Sequence, residues 1–101
     1  MAKVKQIPEE PGVYLFYCPG CKENHYVHTE SCNHSGAKWS FNNDIDKPTF
    51  GPSINRWYNG SIEDNVPDYR CHSFVQNGII KFLGDCTHEL KNQCVELPDL
   101  K

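Results

Sequence analysis

Apolar and polar positions along the chain point to strands far more often than to helices. Val13-Tyr14-Leu15-Phe16-Tyr17 is rich in β-branched and aromatic residues and reads as a strand running into Cys18-Pro19-Gly20-Cys21, with His25-Tyr26-Val27-His28 as its return. Ala37 to Phe41 alternates apolar and polar residues, as a half-buried strand should, and Asn42-Asn43-Asp44 ends it with turn chemistry. Lys47 to Ser53 carries Pro48 and Pro52, too much proline for a central strand, and is expected as an ordered loop or edge. Ile54 to Tyr58 can form a further strand, followed by a polar loop over residues 59–68. Arg70 to Gln76 and Ile79 to Leu83 flank Asn77-Gly78, the preferred pair for a two-residue type I′ hairpin turn. Thr87 to Asn92 reads as one short helix, and Cys94 to Leu97 as a last strand.

The hairpin supplies geometry as well as topology. If Gln76 faces Ile79, then Phe74 faces Lys81, His72 faces Leu83, and Cys71 ends the ladder beside Gly84-Asp85-Cys86. One turn therefore brings Cys71 close to Cys86. Successive strand residues point to opposite faces, so Cys71 and His72 are not expected to reach the same ion unless the strand frays.

A chain of 101 residues fits one domain. The expected architecture is mainly β, with a small α+β fold as the neighbouring class: a single compact antiparallel domain over residues 1–101, residues 1–12 an irregular lead-in and 13–98 the core. No apolar run is long enough for a membrane-spanning helix, and the start of the chain lacks the apolar stretch of a secretory signal, so the expected location is the cytoplasm. Net charge is −3, with ten basic residues scattered rather than gathered in a stripe, which gives nucleic acid no support as a partner.

Six cysteines in so short a chain then matter. In cytosol thiols stay reduced, and reduced cysteines at ligand spacing point to a metal. Cys18-Pro19-Gly20-Cys21 is the strongest motif, two thiolates on one tight turn suited to tetrahedral Zn²⁺, the glycine being available for positive φ. Thioredoxin-like pairs share this spacing but open a helix, and no helical pattern follows here. Two sources can complete the site: a distal set of Cys71, Cys86 and His88, or a local set of Cys32 and His34.

The string Phe16-x-Cys18-Pro19-Gly20-Cys21-x₃-His25, then Trp39-x-Phe41-Asn42-x-Asp44-x₃-Pro48-Thr49-Phe50-x-Pro52-Ser53, then Cys71-His72-x-Phe74 through Asp85-Cys86-Thr87-His88, resembles a family of small uncharacterised phage and prophage proteins often labelled "ammonia monooxygenase". The label finds no physical support, since such enzymes are large membrane copper complexes. The resemblance covers residues 13–98 and implies a phage-derived protein in a bacterial host cytoplasm. It also implies that Cys18, Cys21, His25, Cys71, His72, Cys86 and His88 are family positions, whereas Cys32, His34 and Cys94 are not. That favours Cys18, Cys21, Cys71, Cys86 and His88 as metal ligands, with His72, His25, Asp85, Cys32 and His34 as further candidates.

Four such ligands make a closed structural site. The expected function is accordingly a zinc-stabilised accessory module, more a binding protein than an enzyme, acting through contacts with a host or phage protein. Two alternatives stand beside it: a small zinc-dependent hydrolase using His72, Asp85 and His88, and a minor virion component. Asp85 reads more simply as a turn or cap residue, as does Asp44. Thr49 and Ser53 can line a pocket, but no base or oxyanion partner for either is visible along the chain. Trp39, Phe41 and Phe50 are expected in the core, and Trp57-Tyr58 on the surface.

Overall fold

Eight strands in two antiparallel sheets make up the computed structural model, which describes residues 2–33 and 36–100. The first sheet has the order β1 (Lys5–Gln6), β2 (Val13–Cys18) and β3 (Glu23–His28). The second runs in sequence order through β4 (Ser40–Phe41), β5 (Phe50–Tyr58), β6 (Tyr69–Gln76), β7 (Ile79–Phe82) and β8 (Cys94–Glu96). The mainly antiparallel β expectation is borne out. β1 lies inside the segment read as an irregular lead-in, where it pairs with Tyr14 and Leu15.

The hairpin has the expected register, Gln76 opposite Ile79 and Phe74 opposite Lys81. Asn77 and Gly78 take φ of 50° and 79°, both positive as a type I′ turn requires. Beyond β7 the pairing continues through Leu83, whose N–H donates to the His72 carbonyl at 2.9 Å.

Inward residues of both sheets meet in one core. Phe16, Cys18 and Val27 come from the first sheet, and Phe50, Ile54, Cys71, Val75, Ile80 and Phe82 from the second. Phe16 and Phe50 stack across the interface with ring centroids 6.3 Å apart. Trp39 and Phe41 pack on this core half-buried, while Trp57 and Tyr58 are exposed, as expected.

One local expectation fails. Thr87 to Asn92 forms turns instead of a helix, and no helix occurs among the described residues. Six residues are too few for a stable helix in isolation, and Asn92 takes φ of 66°. Gly51-Pro52-Ser53, expected as an ordered loop or edge, belongs to β5, where beyond Gly51 no strand pairs on the side away from β6. Phe50 pairs with Val75 and Ile54 with Ser73, so three β5 residues stand against Phe74 alone. This bulge admits the proline, because its residues do not need the ladder.

Truncating Phe16 removes the ring that joins the sheets. Phe16→Ala should lower unfolding free energy by about 3–5 kcal/mol, whereas Phe74→Ala on the outer face should change it by less than about 1 kcal/mol. Urea unfolding followed by tryptophan fluorescence measures both.

Candidate functional site

The inner face of the sheet interface gathers sulfur and imidazole. At the end of β2 the chain turns through the knuckle, where the Lys22 N–H donates to the Cys18 carbonyl at 2.8 Å and the Cys21 N–H points at Cys18 Sγ at 3.4 Å. Positive φ falls on Lys22, at 59°, and not on Gly20. Gly20 answers a different demand: a Cβ there would lie 2.5 Å from the His88 ring. The knuckle thus holds Cys18 and Cys21 while the turn after β7 lays His88 against it.

His25, inward on β3, and Cys71, inward on β6, complete a group with Cys18 and Cys21 whose donor atoms all lie within 4.8 Å of one another. Cys18 Sγ and Cys71 Sγ are 3.8 Å apart, and His25 Nε2 is 3.2 Å from Cys21 Sγ. Tetrahedral coordination with Zn–S near 2.3 Å and Zn–N near 2.0 Å puts two sulfurs about 3.8 Å apart, and sulfur and nitrogen about 3.5 Å apart. The donor set therefore fits a tetrahedral soft-ligand metal site. Cys71 also belongs to a second group with Cys86 and His88, His88 Nε2 lying 3.4 Å from Cys71 Sγ.

The electrostatics favour a cation in the same place. Contacts with Cys18 and Cys71 hold the Cys21 thiol far below its ordinary range, and the same cluster, through Cys18 and Cys21, pushes Cys71 far above. Burial opposes charging His25, but bonding to Cys18 and Cys21 outweighs it and pushes its pKa up to about 9. Burial, reinforced by Cys21, raises the Tyr69 phenol, whose hydroxyl donates to Cys21 Sγ at 2.8 Å. Burial also raises the Cys86 thiol and lowers His88. Negative charge is thus favoured on the Cys21 sulfur, while Cys71, His25 and Tyr69 hold their protons more tightly. A divalent ion would replace those protons.

The outer face of the same sheet carries a different constellation. His72 follows Cys71 on β6 and points the opposite way, as strand alternation requires. Its Nδ1 lies 3.1 Å from Asp85 Oδ2 and its Nε2 lies 2.9 Å from Ser53 Oγ. A carboxylate only accepts, so Nδ1 carries the proton and Nε2 is left to accept from the Ser53 hydroxyl. Ser53 reaches this position because the β5 bulge sets it diagonally across from His72, whose direct partner is Asn55. The Trp39 indole N–H holds the Ser53 carbonyl at 3.1 Å. Asp85 sits in the turn after β7, with Arg70 Nη1 4.0 Å from its Oδ2. Cys86 ties that turn down: the His72 N–H points at its Sγ at 3.3 Å, and its thiol donates to the His72 carbonyl at 3.2 Å. Such a serine, imidazole and carboxylate chain can raise the nucleophilicity of a hydroxyl.

The sequence-predicted residues therefore divide between two faces. Cys18, Cys21, Cys71, Cys86 and His88 come together on the inner face, joined by His25. His72 and Asp85 face away from them and partner Ser53. The alternative that draws His72 and His88 to one ion, with Asp85 beside them, is not the arrangement found, since His72 and Asp85 face away from His88; Asp85 does sit in a turn, and its carboxylate also partners His72. The sequence shows no imidazole partner for Ser53 because His72 is 19 residues away and the bulge that aims the hydroxyl carries no familiar motif. Cys32 and Cys94 are exposed and belong to neither group among the described residues, while His34 lies outside the described residues. Asp44 is a turn residue, its carboxylate accepting from the Asp46 and Lys47 N–H groups.

No helix among the described residues is long and apolar enough to cross a membrane. Comparison with known proteins adds one match and two negatives. Neither a curated protein nor a solved structure matches the chain. A family model does, over residues 2–83, a span that includes Ser53 and His72 and stops just short of Asp85. By that match the chain belongs to the family described as bacterial ubiquitination-like system serine protease (BubE).

Proposed function

We propose that this protein is a serine hydrolase of polypeptides, with Ser53 as nucleophile, His72 as general base and acid, and Asp85 as the group that orients His72. One observation carries the reading: Ser53, His72 and Asp85 are connected in order by contacts of 2.9 and 3.1 Å on one face of the sheet. The family description names a serine protease of a ubiquitination-like system and agrees with it. A protein substrate is also the simplest form of the protein partner expected from the sequence.

In this reading Ser53 Oγ attacks the scissile carbonyl carbon as its proton passes to His72 Nε2. The same nitrogen returns the proton to the leaving amine as the C–N bond breaks, leaving an ester on Ser53. Water, deprotonated by His72, then cleaves the ester and restores the hydroxyl. Asp85 holds the Nδ1 proton throughout and offsets the charge of the imidazolium.

The inner-face cluster is read as a structural zinc site. Three thiolates and one imidazole, from Cys18, Cys21, Cys71 and His25, would hold the ion, and four protein ligands would make the site a closed, structural one. The ion would clamp the knuckle and β3 to β6. Cys86 and His88, which share Cys71 as a neighbour, brace the turn that presents Asp85. The metal would act on the triad through position alone.

Three outcomes follow. An alkyl fluorophosphonate should label Ser53, and labelling should vanish in Ser53→Ala and His72→Ala, read by intact mass. Asp85→Asn should slow hydrolysis on the order of ten-thousand-fold, because the amide favours the wrong imidazole tautomer. Elemental analysis should find zinc in the purified chain, retained in Cys32→Ser and Cys94→Ser and lost in Cys18→Ser and Cys71→Ser. Comparing His25→Ala with His88→Ala decides which imidazole is the fourth ligand: zinc loss only in the latter would overturn the assignment of His25.

A further inference from the structure

The second sheet is unfinished along β5. On one side β5 pairs with β6; on the other, β4 covers only Phe50 and Gly51. Which backbone groups this leaves open follows from β6. The Arg70 and His72 carbonyls accept from Thr87 and Leu83, and their N–H groups point at Thr87 Oγ1 and Cys86 Sγ. Both residues thus spend their backbone groups on the side away from β5. Their partners across the ladder are Trp57 and Asn55. In an antiparallel pair those are the non-hydrogen-bonded positions, so Asn55 and Trp57 turn N–H and C=O away from β6 toward the open edge.

That edge forms one wall of a groove of about 750 Å³. The facing wall is β3, itself the outer strand of its sheet. Trp39 closes one end: its backbone N–H donates to the His28 carbonyl of the β3 wall, and its indole N–H to the Ser53 carbonyl of the β5 wall. Farther along, an Arg56–Glu23 ion pair of 2.8 Å ties the two strands together. Trp57 and Tyr26, both more than half exposed, offer apolar surface along the walls.

We propose that this groove takes an extended segment of the polypeptide substrate, which adds to β5 as a strand through the Asn55 and Trp57 backbone and runs toward Trp39, bringing its scissile bond beside Ser53. The inference rests on the serine hydrolase reading and specifies how that site holds its substrate. A strand added to a free edge is recognised mainly through its main chain, with side-chain pockets refining the choice. The arrangement suits a flexible tail or loop. A folded surface does not supply a free main chain. β4 shows that this edge accepts an antiparallel partner, and the groove begins where β4 ends.

Two probes separate this inference from the reading beneath it: an alkyl fluorophosphonate, and a pool of tetrapeptidyl aryl phosphonates randomised in their side chains. Hydrogen exchange by mass spectrometry on the wild-type chain should show slowed exchange across Asn55–Tyr58 after peptidyl phosphonylation of Ser53, and not after alkyl phosphonylation. Trp57→Pro removes one outward N–H without taking a bond from the β6 ladder, and Trp57→Ala removes the indole alone. The ratio of peptidyl to alkyl labelling rates should be roughly tenfold lower in Trp57→Pro than in Trp57→Ala. Equal ratios in the two variants, with no added protection across β5, would overturn the strand-addition inference while leaving Ser53 reactive. Failure of the alkyl probe to label Ser53 in the wild type would overturn the hydrolase reading, and this inference with it.

Discussion

Everything distinctive in this structure turns on the alternation of side chains along β6. Cys71 faces the core and His72 faces outward, so two adjacent residues serve two separate sites through the thickness of one sheet. Neither can move without the other, since a one-residue slip would exchange their faces. Cys71 is fully buried among sulfurs from the knuckle, and that anchorage fixes the height at which His72 emerges on the far side. The turn after β7 repeats the arrangement. Asp85 reaches outward to His72, Cys86 contacts the His72 backbone, and His88 returns to the inner cluster.

A metal ion held by the inner cluster, as proposed above, would help to hold so small a chain together. Its core is built largely from Phe16, Phe50, Phe82 and a few aliphatic side chains, and the first sheet has only three strands. A domain of this size buries a modest share of its surface, so a cross-link between distant segments contributes more than it would in a larger protein. Three thiols and an imidazole at close range are poorly placed without a cation, because only part of the group can ionise. With a cation they become mutually supportive. The segments whose donor atoms meet there are the knuckle, β3 and β6; β3 also walls the groove and β6 also carries His72.

Much of this was legible in the residues. The Asn77-Gly78 turn set the hairpin register, and from that register came both the meeting of Cys71 with Cys86 and the divergence of Cys71 from His72. The knuckle was visible from spacing alone. What the residues alone left open depended on contacts across the sheet. His25 joins the inner group because the pairing of β2 with β3 sets it opposite Phe16 on the core side. Ser53 looked like part of a proline-rich loop, and only the unequal count of residues between two ladder contacts shows that it is held beside His72. The turns at Thr87 to Asn92 carried an apparent helical pattern, but His88 and Leu90 are drawn inward by their contacts with the core and the inner cluster.

The bulge in β5 makes the position of the Ser53 hydroxyl depend on arithmetic as much as on chemistry. Between Phe50 and Ile54 the strand spends two residues more than β6 does, an even surplus, so Ile54 still faces inward and Asn55 outward. Loss or gain of a single residue there would make the surplus odd. Either Ile54 would be driven into solvent or the ladder with β6 would have to be rebuilt from Tyr58 backward. Length variation in this stretch is therefore tolerable only in pairs, a constraint that substitution at any one of its positions would not reveal.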